Sequence, residues 1–310
     1  MSVRVAALDC GTNSLRLLVA DVASDGTLVD VVREMRVVRL GEGVDRTGEL
    51  SPAALARTFG VLREYTAQLR ELGAQRVRMV ATSATRDARN RAVFTAGVRE
   101  ILGAAPEVIT GAQEAELSFL GATADLTARP DFALPYLVVD IGGGSTEFIL
   151  GEADGRAASG SVDIGCVRLA ERHLHSDPAT PAQLAAALAA ARAAIAEVRS
   201  SVDIEAAATL VAVAGTATTV AALALGLAEY DAARIHLSAV SLADVERVYE
   251  DLARMTAAER AALGPMHPGR VDVIVAGALI LREVVRAAGT GGMVAGEHDI
   301  LDGMALSLGG

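Results

Sequence analysis

Lysine is absent from the 310-residue sequence, so every one of its 28 basic side chains is an arginine. That absence excludes several classes of enzyme. A phosphate-loop NTPase, a protein-kinase ATP site and a Schiff-base enzyme each depend on a lysine. Tryptophan is absent too, and aromatic residues make up only 3% of the chain, too few for the stacking platform of a single-strand nucleic-acid binder. The two cysteines, Cys10 and Cys166, cannot build a disulfide framework in a chain of this length. Both sit in strand–turn units and read as buried thiols. The five histidines show no metal-ligand spacing; His173 and His175, two apart on a helical stretch, face different sides. Positive charge is also scarce, 28 arginines against 39 acids for a net charge of −11. Binding to nucleic acid or to an anionic membrane is therefore not expected. A polyanionic substrate stays open, because a few arginines and a divalent cation reverse the field locally. The N-terminus has one arginine and then meets Asp9 inside its apolar run, unlike a signal peptide, so a reducing cytoplasm is the expected setting.

What is present is enough apolar sequence, 52% hydrophobic, for two sizeable cores. Residues 206–228 carry no charge and are long enough to span a bilayer. Polar Gly215-Thr-Ala-Thr-Thr219 interrupts them and acids flank them on both sides, so the expectation is a buried strand over 209–214, a glycine turn and an Ala-rich helix. The most informative feature is an internal echo. Asp9-Cys-Gly11-Thr-Asn-Ser14 and Asp140-Ile-Gly142-Gly-Gly-Ser145 each follow a buried strand and precede a second one. Further turn signals follow at Ser24-Asp-Gly26 and Asp154-Gly155. The period is that of a domain, not of a solenoid. Helical spacing marks 52–72, 88–102, 113–126, 181–200, 242–255 and 271–288, and short strands are expected at 77–81 and 107–109. Residues 127–131 form the best boundary. The expectation is an α/β protein of two lobes, 1–128 and 129–310, with a ligand-binding cleft between them.

Residues 140–147, Asp-Ile-Gly-Gly-Gly-Ser-Thr-Glu, carry the strongest local signal. Successive glycines let the backbone approach a ligand and point N–H groups at an anion. Carboxylates at both ends suit a hard divalent cation held against phosphate oxygens. The matching turn at 9–14 would clamp a phosphate from a second side. These segments, with Ala81-Thr-Ser-Ala-Thr-Arg86-Asp-Ala-Arg-Asn90, Thr110-Gly-Ala-Gln-Glu114-Ala, Gly160-Ser-Val-Asp-Ile-Gly-Cys-Val-Arg168-Leu and Gly215-Thr-Ala-Thr, resemble the exopolyphosphatase and guanosine pentaphosphate phosphohydrolase family. They stand in its order and at its spacing over nearly the whole chain.

The resemblance implies a duplicated ribonuclease-H-like fold, shared with actin, sugar kinases and heat-shock chaperones. It implies Glu114 as catalytic base, with Glu116 a neighbouring carboxylate, and Asp140 and Glu147 as metal-holding acids with Glu147 also beside the attacking water. It gives Asn13, Ser14, Gly143, Gly144 and Ser145 as a phosphate cradle and Arg86 as a substrate-contacting arginine. The implied cofactor is magnesium, or manganese in its place. The implied reaction is release of terminal orthophosphate from linear polyphosphate, with short chains expected because the sequence ends soon after two lobes are complete. Three alternatives stand beside it: hydrolysis of guanosine pentaphosphate, a nucleotide- or alarmone-binding sensor with little turnover, and a sugar or acetate kinase. No nucleic-acid or membrane partner is implied, and a homodimer is allowed.

Overall fold

The computed structural model describes residues 2–126, 129, 131–151 and 157–309. The expected turn at Asp154-Gly155 lies outside the described residues, as do Thr127, Ala128 and Pro130 of the expected boundary. Contacts divide the chain into two units, Met1–Gly121 with Asp299–Gly310, and Ala122–His298. The last helix, Ile300–Gly309, thus packs within the first unit, where two consecutive lobes would have it in the second. Two ion pairs explain the return: Arg16 with Asp299 and Arg33 with Asp302, both acids buried.

The first unit is built on one five-stranded sheet. Strands β1 (Ser2–Cys10), β2 (Ser14–Ala23) and β3 (Leu28–Val37) form an antiparallel meander. β4 (Arg76–Ala81) and β5 (Glu107–Val108) then extend it in parallel, giving the order β3-β2-β1-β4-β5. Val5–Leu8 of β1 form a continuous apolar run because helices cover both faces of the strand. Ala6, Leu8 and Cys10 pack with Leu62, Tyr65 and Leu69 of the helix Pro52–Glu71 and with Phe94 and Val98 of the helix Arg91–Leu102. Val5 and Ala7 point the other way, onto Ile300, Leu301, Met304 and Ala305 of the last helix. Each large side chain so buried contributes about 1.5–3 kcal/mol.

The second unit repeats the pattern. β6 (Tyr136–Ile141), β7 (Thr146–Gly151) and β8 (Ala157–Val162) form the meander, and β9 (Thr209–Val213) and β11 (Gly292–Ala295) the parallel extension. β10 (Ser238–Ser241) adds one antiparallel edge strand, for the order β10-β11-β9-β6-β7-β8. Five strands in each sheet therefore follow one connectivity, which is the duplicated ribonuclease-H-like fold. Residues 206–228 resolve as expected into β9 and the helix Ala214–Ala224. Among the described residues, no helix is long and apolar enough to cross a membrane.

One expected helix is interrupted. Residues 88–102 divide into an extended Ala88, a loop, and the helix Arg91–Leu102, preceded by a short helix Ser83–Asp87. The Asn90 side chain explains the break: its amide group accepts from the Leu50 N–H and donates to the Leu50 carbonyl, both at 2.9 Å. Those bonds pin residues 88–90 as a loop, and a side chain so engaged competes with helix continuation.

Candidate functional site

Both repeated turns close with the same hydrogen bond: Gly11 N–H donates to the Ser14 carbonyl at 3.0 Å and Gly142 N–H to the Ser145 carbonyl at 3.1 Å. Carbonyls inside each turn are also anchored, one position earlier in the second turn than in the first. In the first, the Thr12 carbonyl accepts from Gly41 N–H and the Asn13 carbonyl from Val38 and Arg39 N–H. In the second, the Gly142 carbonyl accepts from Cys166 N–H at 2.9 Å, and the Gly143 carbonyl from Val167 and Arg168 N–H at 2.9 and 3.1 Å. In a trans peptide the C=O and the following N–H point in opposite directions. Anchoring these carbonyls therefore turns the N–H groups of Asn13 and Ser14, and of Gly143 and Gly144, away from their anchors. Each turn presents two adjacent backbone donors, the geometry of an anion-binding nest.

Gly165 makes the second nest possible. A Cβ there would lie 2.4 Å from the Gly143 carbonyl group and 2.6 Å from Gly144 N, so the helix Cys166–His173 approaches the turn only because residue 165 has no side chain. Ser145 is buried inside the turn.

The two hairpins differ in one decisive pair. In the first, Asp9 stands opposite Arg16 in the strand register. Arg16 donates from Nε at 2.9 Å and from a terminal nitrogen at 2.7 Å to Asp9 Oδ2, and also pairs with Asp299. In the second, Asp140 stands opposite Glu147. The position that neutralises its aspartate in one copy adds a second carboxylate in the other. Asp140 and Glu147 are 6% and 1% exposed; Ser161 donates its hydroxyl to Glu147 Oε1 at 3.0 Å. Two buried carboxylates on adjacent strands are a donor set suited to a hard divalent cation, whose charge would offset the cost of burying both. Asp9 has a different environment: its Oδ1 is buried without a hydrogen-bond partner among the described residues. Burial pushes its carboxyl above the usual range, Arg16 opposes that rise, and Asp299 adds to it.

Glu114 and Arg86 meet within the first unit. Arg86, in the helix Ser83–Asp87, reaches the Ile109 carbonyl at 3.0 Å and Glu114 Oε2 at 3.3 Å. Glu114 sits in the first turn of the helix Gly111–Thr123. Thr110 and Gln113 cap that helix reciprocally: Gln113 Oε1 accepts from Thr110 N–H at 2.9 Å, and Thr110 Oγ1 accepts from Gln113 N–H at 3.3 Å. Gln113 is thus engaged in a capping box, leaving Glu114 and Glu116 as the acids of this turn. Glu114 is buried and Glu116 exposed.

The structure accordingly groups Asn13 and Ser14 in one turn, Arg86 with Glu114 in the same unit, and Asp140, Gly143, Gly144, Ser145 and Glu147 in the second unit. Sequence reasoning passed over Arg16 and Gly165. Aligning the two repeats would have found Arg16, because it occupies the place of Glu147. Both cysteines are buried, free thiols, and burial pushes both upward, Cys166 to about 11, so neither is a nucleophile at neutral pH.

A sequence profile of the Ppx/GppA phosphatase family matches residues 18–307. The chain is 53% identical to Exopolyphosphatase 2 of Mycobacterium tuberculosis, over 99% of both chains. It is 37% identical to a guanosine-5'-triphosphate,3'-diphosphate pyrophosphatase of Photobacterium profundum, over 61% of this chain and 37% of that one. The crystal structure of an exopolyphosphatase-like protein, 43% identical, superposes with a TM-score of 0.94 over 99% of this chain and 98% of the other.

Proposed function

The chain belongs to the Ppx/GppA phosphatase family, and from that premise we propose that it is an exopolyphosphatase, releasing terminal orthophosphate from linear inorganic polyphosphate by metal-assisted attack of water. The observation that carries the proposal is the buried cross-strand pair Asp140 and Glu147 beside a glycine turn whose amides are turned outward. The full-length similarity to an exopolyphosphatase supports the choice of substrate.

The donor set fits magnesium, or manganese, which take carboxylate and phosphate oxygens; Asp140 and Glu147 would hold the ion. When bound, it would neutralise charge building on the phosphoryl oxygens. Glu114 takes the proton of the attacking water, a role for which its burial and its fixed place in the first helical turn suit it. Arg86 keeps Glu114 oriented and offers a planar guanidinium to phosphate oxygens. The N–H groups of Gly143 and Gly144, with Ser145, and those of Asn13 and Ser14, bind the terminal phosphate. Glu147 also orients water. The setting that belongs to this proposal is the cytoplasm, in keeping with two free thiols.

The test is phosphate release from polyphosphates of defined length, with and without magnesium, by the wild type and by Glu114→Gln. Turnover that requires the metal and falls about 10²–10⁴-fold in Glu114→Gln, with the unfolding transition unchanged, supports the proposal. Full activity in Glu114→Gln, with loss in Glu116→Gln, moves the base to Glu116. No release from any polyphosphate refutes the function. Similarity to the pyrophosphatase of Photobacterium profundum favours guanosine pentaphosphate as the second candidate substrate.

A further inference from the structure

No spacing in the sequence joins the histidines, yet the fold gathers two of them around one carboxylate. Asp125 follows the helix Gly111–Thr123, His236 ends the short helix Ala232–Ile235, and His298 lies between β11 and the last helix. All three belong to the second unit. Asp125 Oδ2 is 2.6 Å from His298 Nδ1 and 3.1 Å from His236 Nε2. The two imidazole rings stand 4.5 Å apart, centre to centre. One ligand atom from each residue lies within 4.8 Å of both others, and the three are exposed or half-buried.

We propose that Asp125, His236 and His298 form a binding site for a zinc-class transition metal, using residues other than Asp140 and Glu147. Two imidazoles and a carboxylate are the donors such an ion prefers, whereas magnesium favours oxygen alone. Tetrahedral ligands at about 2.0–2.1 Å from zinc stand about 3.3 Å from one another. The two contacts on Asp125 are already close to that spacing, and small rotations of exposed side chains supply the rest. The two rings are tilted by 43° to one another. A divalent cation supplies positive charge to Asp125 and replaces the two protons shared with it. Three protein ligands leave a fourth position for water.

The proton balance is explicit. His236 Nδ1 accepts the Glu297 N–H at 3.3 Å, so the ring proton is on Nε2 and is donated to Asp125. Metal capture at Nε2 transfers that proton to Nδ1 and displaces the Glu297 contact, which is long and readily given up. His298 likewise shifts its proton from Nδ1 to Nε2. Neutral rings need no net proton release.

The experiment titrates chelator-treated, full-length protein with zinc by calorimetry, in millimolar magnesium to occupy oxygen-only sites, and repeats it with cobalt to read visible absorption. The expected result is one equivalent of zinc and a cobalt spectrum of tetrahedral type. Affinity falls about tenfold or more in His236→Ala, His298→Ala and Asp125→Asn, and is retained in Glu147→Gln and His173→Ala. Asp125→Asn keeps the size and a hydrogen-bonding oxygen at an exposed position, so its fold is preserved even where a histidine variant unfolds. Absence of zinc binding in the wild type overturns the proposal, as does binding that survives in the His236→Ala, His298→Ala double variant or vanishes in Glu147→Gln.

Discussion

Arg16 lies opposite Asp9 in the first hairpin, the place that Glu147 takes opposite Asp140 in the second. Its guanidinium serves two buried acids, Asp9 and Asp299. Replacing it with alanine leaves both carboxylates buried with their common cation gone, a change that costs about 3–5 kcal/mol at neutral pH. The sign of the pH dependence follows from Asp9, whose carboxyl is raised by burial against the pull of Arg16. With Arg16 removed, the rise is larger. The folded state then binds protons that the unfolded chain has released, so stability falls as pH rises from the ordinary carboxylate range to the raised one. Urea unfolding of Arg16→Ala should thus show its greatest deficit near neutrality, shrinking on acidification. A deficit independent of pH would assign the loss to packing and not to charge.

At the scale of elements, glycines set how closely helices approach. The helix Gly111–Thr123, which carries Glu114, crosses the last helix through reciprocal glycines. A Cβ on Gly121 would lie 1.9 Å from the Asp299 carbonyl oxygen, and one on Gly303 would lie 1.9 Å from the Leu117 carbonyl oxygen. Both obstacles are backbone, so the helices would have to separate. Gly303→Ala should destabilise by about 3 kcal/mol. Gly60, inside the helix Pro52–Glu71, has nothing within 4 Å of its missing Cβ, and Gly60→Ala should stabilise by up to about 1 kcal/mol through helix propensity. Thermal unfolding of the two variants should move in opposite directions; two shifts of the same sign would refute this account of the crossing. Neither effect is legible in the sequence, where both glycines interrupt helical patterns alike. The break at residues 88–90 is equally hidden, since it depends on Asn90 bonding Leu50 forty positions away.

At the scale of the whole molecule, the duplication was legible because identical turn chemistry recurs: an aspartate ending a buried strand, a glycine whose N–H closes the turn, and a serine carbonyl that accepts it. The Asp140 and Glu147 pair was legible for the same reason, two-residue alternation on paired strands. What stayed hidden depends on contacts between segments far apart in sequence. The last helix joins the first unit through Asp299 and Asp302, 283 and 269 positions from their arginines, and the Asp125, His236 and His298 cluster spans three segments. Composition bears on the remaining question of substrate. A guanine base is held chiefly by stacking on aromatic rings, worth about 1–3 kcal/mol per base, and this chain has four tyrosines, five phenylalanines and no tryptophan. Tyr65, Phe94 and Phe148 are fully buried and committed to the cores. On the proposed mechanism phosphate oxygens, in contrast, are met by backbone N–H groups and by arginine. The prediction is a higher kcat/KM for polyphosphate than for guanosine pentaphosphate, measured as orthophosphate release in the same magnesium buffer. On the proposed mechanism both substrates present a terminal phosphoryl group to the same residues, so Glu114→Gln should depress the two activities by the same factor. A preference for the nucleotide would show that arginine or aliphatic side chains hold the base in place of aromatic ones, and would make guanosine pentaphosphate the substrate.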